Sequence, residues 1–302
     1  MGRRNKVKLK RNDLFIGIYI LSAVLFFIIS IPSWLLDILL AFNIMVALVI
    51  LFNSLFAKEV LDMASFPTML LFTTIFRISL NVSSTKMILR DGYAGHVVSV
   101  FGQFVGGGNL VIGTIIFIVL IIVQFIVINK GSERVSEVTA RFTLDAMAGK
   151  QMAIDSDLNT GAITDKEAAE RRKKLQQENS FFGSMDGATK YVKGDATAGL
   201  IITAINLVGG IAMGMLYNGM SINDALSTYS ILTIGDGLCS QIPSLLISLS
   251  TGILVTKASS EGELGDEMVG QLFSMDRVLI MVGAALILLG VGTPLPYSCH
   301  LV

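Results

Sequence analysis

The chain has 302 residues, of which 53% are hydrophobic and only 15% are charged, and its mean hydropathy is +0.70. A soluble domain carries about 25% charged residues, so this composition excludes an ordinary soluble domain and predicts a membrane protein. The net charge is zero and the basic residues are mixed with acidic ones, so no nucleic-acid partner is predicted. Two isolated cysteines and two histidines form neither a disulfide framework nor a metal-ligand spacing, so no metal and no cofactor is predicted.

The N-terminal part of the chain holds four apolar segments that we interpret as transmembrane helices. The first eleven residues carry six positive charges and no negative one. The apolar run that follows is too long for a signal peptide and is not followed by a small-residue cleavage site, so it predicts a first span. In this N-terminal membrane region, residues 1–129, the spans are predicted at about 14–36, 38–56, 66–83 and 110–128.

A charged segment, residues 130–197, follows the fourth span. It holds 11 of the 23 basic and 11 of the 23 acidic residues of the chain. Within it, Thr164 followed three residues later by Glu167 forms a capping box, which predicts the start of a helix. The second membrane region, residues 198–297, has predicted spans at about 198–217, 230–255 and 277–296.

The basic residues indicate the orientation of these seven spans. With the N-terminus inside, the predicted outer segments hold only Lys86 and Arg90. Lysines and arginines concentrate on the cytoplasmic side of membrane proteins, so the N-terminus is predicted to be cytoplasmic. The predicted fold class is all-α: a polytopic membrane helical bundle with a cytoplasmic α-rich loop between spans four and five.

The third span contains a single arginine, Arg77, in the run "LFTTIFRISLN". A guanidinium cannot be deprotonated, and its burial at mid-membrane costs several kcal/mol unless it is paired or hydrated. One interpretation is that Arg77 snorkels to the outer interface. The other is that it faces water or a carboxylate inside an assembly. Asp236, which the predicted topology places at a similar outer-side depth, is the first candidate partner.

Two acids border or enter the second membrane region. Asp236 lies between two glycines in "TIGDGLCSQIP", shortly before Pro243. An acid in an interrupted helix is a frequent arrangement at ion sites of transporters. The alternative is a hydrated cap among the outer headgroups. Asp195 precedes the fifth span at the inner face, where chemistry alone favours an acid that complements a helix N-terminus. No nucleophile–base pair or phosphate loop is present, so an enzyme is not predicted.

Five motifs resemble, in their order, those of the FHIPEP family, the export-gate proteins of flagellar and virulence-type bacterial type III secretion. The longest, "NKGSERVSEVTARFTLDAMAGKQMAIDSDLNTG", begins at Asn129. The other four are "FRISLNVSSTKMIL", "GGNLVIG", "MDGATKYVKGDA" and "TIGDGLCSQIPSLL". "LVIG" and "TARFTLDAM" are more similar to the flagellar branch of the family.

The resemblance implies a subunit of a nonameric, homo-oligomeric ring in the bacterial inner membrane that couples proton flow to protein export. Other export-gate membrane subunits, a cytoplasmic export ATPase complex, exported flagellar proteins and the lipid bilayer are the implied partners. Family members have eight membrane helices and a large C-terminal cytoplasmic domain, which this chain is expected to lack.

By resemblance, Asp195 occupies the position of the family's candidate proton-coupling carboxylate. The resemblance also indicates two groups of charged residues as candidate site residues. Those for the ion path are Asp195, Asp236, Arg77, Lys86 and Lys190, and those of the cytoplasmic loop motif are Arg134, Arg141, Asp145 and Lys150.

The chain departs from the family pattern at two matched positions. Ala148 stands where proline is expected, and alanine would let a helix continue there. Lys86 stands where arginine is usual, which keeps the charge and loses bidentate geometry. Three other functions stay open: a virulence-type export gate, a stand-alone small-ion transporter or proton channel, and an inert membrane scaffold.

Overall fold

The computed structural model describes residues 11–257, 269–271 and 273–292, and within this part of the chain the regular structure is entirely helical. This confirms the predicted helical bundle. The helices are α1 (Arg11–Ile28), α2 (Ser33–Phe56), α3 (Phe66–Asp91), α4 (His96–Gly106), α5 (Leu110–Val123), α6 (Lys130–Asn159), α7 (Asp165–Leu216), α8 (Ile222–Thr256) and α9 (Asp276–Gly292). A 3-10 turn (Val60–Met63) precedes α3, and a π-helical turn (Gln124–Asn129) joins α5 to α6.

Within the described ranges, five helical segments are long and apolar enough to cross a membrane. They are Ser33–Phe56, Val60–Asp91, Leu110–Asn159, Asp165–Leu216 and Ile222–Thr256. A shorter apolar helix, Gly17–Ile28, lies in the predicted first span. Helix α9 covers most of the predicted seventh span, whose last residues, 293–296, lie outside the described residues.

The predicted bounds of the first span, 14–36, are wrong, because the helix ends at Ile28 and a new helix begins at Ser33. Pro32 is the N-cap of this second helix. Proline has no N–H to continue a helix from the preceding turn, and it disfavours the helical conformation of the residue before it. A proline within an apolar run therefore separates two helices.

The predicted boundaries of the charged segment do not coincide with helix ends. Helix α5 continues through the π turn into α6, and α7 is one helix of 52 residues that passes through residues 197 and 198. The predicted capping box is confirmed: the Thr164 hydroxyl accepts from the Glu167 N–H at 3.3 Å, and the Thr164 N–H donates to Glu167 Oε2 at 2.8 Å. Ala148 lies inside α6, as expected for alanine at that position.

Helix α6 and the first part of α7 form an antiparallel hairpin with its own small apolar core. A short loop with a left-handed glycine, Gly161, joins the two helices. The core consists of Met147, Ile154, Ile163, Ala168 and Leu175. Since both helices continue directly into membrane segments, a displacement of the hairpin can be transmitted to the membrane core through unbroken helices.

Helix α8 lies at the centre of the bundle, where it packs against α2, α4, α6 and α7. Glycines permit its closest contact. A Cβ atom at Gly235 would overlap the carbonyl oxygen of Val98 on α4, and a Cβ at Gly102 would overlap the carbonyl of Ile231. The glycines beside Asp236 therefore serve close packing, and α8 is helical through both Asp236 and Pro243. The interruption expected there is absent.

Candidate ion site between the membrane helices

Arg77 and Asp195 form a buried ion pair between α3 and α7. Arg77 Nη2 donates to Asp195 Oδ2, and the two residues are 1% and 5% exposed. Arg77 therefore does not snorkel to the outer interface. The predicted partner, Asp236, is wrong, because the carboxylate that pairs with Arg77 is Asp195, 118 residues away in the chain and in the segment predicted as the cytoplasmic loop. Opposite charge and a hydrogen bond together are what burial of an arginine requires.

The contacts between α3 and α7 fix the position of this pair along the two helices. At one end, Lys174 of α7 pairs with Glu59, just before α3, at 2.7 Å, and this hydrogen bond raises the pKa of Lys174. At the other end, Gly209 of α7 lies against Leu89 of α3. The two helices thus run parallel, and Arg77 lies roughly 16 Å along α3 from its start and about 21 Å from its end.

This register overturns the sequence-based interpretation of Asp195 as an acid at a helix N-terminus. Asp195 lies 30 residues after Asp165, the first residue of α7, in the interior of an unbroken helix. No helix terminus is near enough to stabilise its charge, because the dipole effect is limited to the first and last turns. Its charge is instead compensated by Arg77.

A polar cavity of about 40 Å³ lies beside the pair. We call it the pair cavity. Its polar lining includes Arg77, Asn81, Gln124, Asn129, Asp195, Thr203, Ser240, Gln241 and Ser244. Arg77 Nη1 has no hydrogen-bond partner among the described residues, although it is fully buried. A water molecule needs about 10–15 Å³ of such volume, so the pair cavity has room for two or three waters.

The π turn aims two amides at the pair cavity. Gln124 and Asn129 are five residues apart and both line it. In an α-helix, residues five apart point in clearly different directions, whereas the i to i+5 hydrogen bonding of a π turn places them one above the other. The Gln124 side-chain amide also donates to the carbonyl of Gln241 on α8 at 3.0 Å, which fixes its orientation.

Asp236 lies in a second buried polar cluster. It is 4% exposed, and its Oδ2 accepts from Asn206 Nδ2 at 2.8 Å. It is therefore not a hydrated cap among headgroups, which corrects that alternative. Asn206 is fully buried, and its Oδ1 has no donor among the described residues. No cation of the described residues pairs with Asp236, so this cluster and the Arg77–Asp195 pair have separate partners.

The remaining predicted residues do not join these two clusters. Lys86 donates to the Phe27 carbonyl at the end of α1, and Lys190 pairs with Asp186 on the surface of α7 at 2.7 Å. Arg134 pairs with Glu137 at 3.3 Å, and Lys150 with Glu178 at 3.6 Å. Arg141 and Asp145 are exposed on α6.

Sequence reasoning missed three amides that complete the two polar clusters. Gln124, Asn129 and Asn206 are amides within or at the end of apolar spans, and they were not singled out. The available signal was polarity: Gln124 is an isolated amide in the otherwise apolar segment "LVIGTIIFIVLIIVQFIVI". An amide at such a position is costly in lipid, so it indicates a protein-facing or water-facing side. Among the described residues, no group of three His, Cys, Asp or Glu side chains could hold a metal ion.

Comparisons with known proteins agree on one family. The model of the FHIPEP family matches residues 23–302. Over 94% of its own length, the chain is 54% identical to the flagellar biosynthesis protein FlhA of Bacillus subtilis. Over 92% of its own length, it is 50% identical to the FlhA of Salmonella typhimurium. It is 45% identical to the low calcium response locus protein D of Yersinia pestis over 97%.

The chain covers 41–42% of the length of these three relatives. No solved structure matches it.

Proposed function

Because the chain belongs to the FHIPEP family, we propose that it forms the membrane part of an export-gate subunit for flagellar proteins in a bacterial inner membrane. The names of its relatives support this proposal, since the two with the highest identity quoted above are flagellar biosynthesis proteins. Homo-oligomeric assembly, contact with other export components and a cytoplasmic N-terminus are parts of the same proposal.

We further propose that proton binding at Asp195 couples ion flow to export. One observation carries this step: a carboxylate buried between the membrane helices faces both an arginine and a polar cavity. Ionised Asp195 holds Arg77. When Asp195 takes up a proton, the attraction between unit charges is lost and Arg77 is free to turn its donors toward the amides of the pair cavity. Asp195 lies on α7, which continues into the charged hairpin, so a change at the pair can reach the hairpin without passing through a loop.

The direct test exchanges this chain into a working flagellar protein. In a Bacillus subtilis strain without its own FlhA, the matching 283-residue region of that protein is replaced by this chain. We expect the chimera to restore swimming. Asp195→Asn, which keeps the shape and removes the ionisable group, should abolish it at unchanged protein level. The matched control is Asp186→Asn, an exposed acid on the same helix, which should swim normally.

Two outcomes decide the proposal. If the chimera swims and Asp195→Asn swims equally well, Asp195 has no part in coupling. If the chimera never swims while the protein inserts into the membrane, the flagellar assignment is overturned. The second candidate is a virulence-type export gate, the other branch of the family, because the chain is also 45% identical over 97% of its length to a relative that is not named for flagella. The same exchange into that relative would then restore function.

A further inference from the structure

We propose that Asn129 is the constriction of a polar route by which water and small cations pass between the Arg77–Asp195 pair and the membrane face that carries the charged hairpin. The route consists of two small cavities that share one residue. Its use for proton transfer rests on the function proposed above, whereas its existence as a path does not.

The second cavity, which we call the exit cavity, has a volume of about 20 Å³, enough for one water. Seven of its eight lining residues have polar or charged side chains; the lining comprises Asn129, Ser132, Glu133, Thr189, Val192, Lys193, Ser248 and Thr251. Among the described residues, Asn129 alone lines both the pair cavity and the exit cavity.

The two cavities follow each other along the same three helices. On α8 the lining moves from Ser240 in the pair cavity to Thr251 in the exit cavity, which is about 16 Å of helix. On α7, which runs in the opposite direction, it moves from Thr203 back to Thr189. Both progressions lead toward the hairpin. Polar residues therefore follow one another along a seam between α6, α7 and α8.

Hydrogen bonds hold the walls of the seam at the constriction. Ser248 Oγ donates to Asn129 Oδ1 at 3.1 Å, and Ser132 Oγ donates to the Ser248 carbonyl at 2.8 Å. Asn129 is therefore anchored to α8 by its acceptor. The π turn makes this possible, because it presents Asn129 to the same side as Gln124. A regular α-helix would turn one of the two toward lipid.

At the hairpin face, the seam opens at a partly exposed ion pair. Lys193 Nζ and Glu133 Oε1 are 2.8 Å apart, with side chains 48% and 20% exposed. At the opposite end, beside the Arg77–Asp195 pair, Arg77 Nη1 has no partner among the described residues and is the strongest donor that a cavity water can meet. Charged groups thus stand at both ends, and neutral hydroxyls and amides stand between them. This order suits stepwise passage of protons or small cations through water.

Silver ions can test the route, because Ag⁺ is small, travels in water and blocks thiols. Both cysteines, Cys239 and Cys299, are first replaced by serine. Single cysteines are then placed in the pair cavity (Ser240→Cys), in the exit cavity (Ser132→Cys) and on the lipid-facing side of the π turn (Ile126→Cys, 54% exposed in the bundle). The chain is reconstituted into vesicles, Ag⁺ is added to either face, and blocked thiols are counted by maleimide labelling after unfolding.

The route predicts a definite order of reaction from the hairpin face. Ser132→Cys should be blocked fastest, Ser240→Cys at least tenfold more slowly, and Ile126→Cys should not be blocked. Adding Asn129→Leu, which closes the constriction with an apolar side chain of similar size, should slow the blocking of Ser240→Cys at least a further tenfold. It should leave Ser132→Cys unchanged. Adding Asn129→Ser, smaller and still polar, should accelerate the blocking of Ser240→Cys.

Three results would overturn the proposal: a Ser240→Cys rate that Asn129→Leu does not change, reaction of Ser240→Cys only from the opposite face, or no acceleration by Asn129→Ser. The serine variant decides the matter even if the leucine variant misfolds. In the swimming chimera, Asn129→Leu should reduce motility and Asn129→Ser should retain it. Changed silver access without changed swimming would leave the route standing and remove its part in proton coupling.

Discussion

Replacing Arg77 with methionine tests whether the buried pair is held together by its charges. Methionine is unbranched and uncharged but shorter than arginine, so Arg77→Met leaves Asp195 as a buried carboxylate without a cation. Removing one partner of a buried ion pair typically costs about 3–5 kcal/mol, because the remaining charge is uncompensated. The pair is 1% and 5% exposed, so the remaining carboxylate can reach only the few waters that the pair cavity holds.

The loss of stability in Arg77→Met has an upper limit that depends on pH, because a carboxyl without a cation can accept a proton. For a carboxyl with an ordinary pKa near 3.9, neutralisation costs about 4 kcal/mol at pH 7 and roughly 1.5 kcal/mol at pH 5. Neutralising the lone carboxyl costs less at low pH, so Arg77→Met should lose less stability at pH 5 than at pH 7 relative to the unmodified chain.

The reverse substitution should behave differently. Asp195→Asn leaves an arginine that cannot be deprotonated, so its loss of stability should be similar at pH 5 and pH 7. The double variant should be less destabilised than the sum of the two singles by about 3 kcal/mol. Equilibrium unfolding in detergent micelles, followed by circular dichroism at both pH values, measures all four chains.

Asp236 provides the matched control for this cycle. The Asp236 cluster joins α7 through Asn206, which is roughly 16 Å along that helix from Asp195. With no shared partner, Arg77→Met and Asp236→Asn should add within about 0.5 kcal/mol. If Arg77→Met and Asp195→Asn also add, or if Arg77→Met shows no dependence on pH, the account of the pair is refuted.

Two further predictions concern the packing of α4 on its neighbours. Gly235→Ala should destabilise the bundle by about 1–3 kcal/mol, because the new Cβ overlaps the Val98 carbonyl, whereas Gly187→Ala, with open space around it, should cost nothing. Thermal unfolding compares the two variants, and equal unfolding midpoints would contradict the contact. Asp37→Ala should lower stability by about 1–2 kcal/mol, since Asp37 of α2 accepts from the His96 and Val97 N–H groups at 2.9 Å and so caps α4. Unchanged hydrogen exchange at the start of α4 would contradict this prediction.

Local features of the sequence were sufficient where the cause of the structure is local. Apolar runs predicted membrane helices, and the Thr164–Glu167 spacing predicted the cap that begins α7. They failed where two local signals conflicted. Pro32 within an apolar run was included in one span, although proline divides it into two helices. The start of the apolar run at 198 indicates a helix boundary, although α7 is continuous there.

Hydropathy alone therefore determined that the chain is a membrane helical bundle, and its motifs determined the family, because both are properties of consecutive residues. The partner of Arg77 was decided only by the tertiary structure. Which residue of α7 lies beside Arg77 depends on how α7 is offset along α3. This offset follows from side-chain packing over the whole length of the two helices. The same packing, together with one π turn, brings Gln124 and Asn129 to the site. No pattern of neighbouring residues reports such a register, since it arises from contacts between residues more than a hundred positions apart.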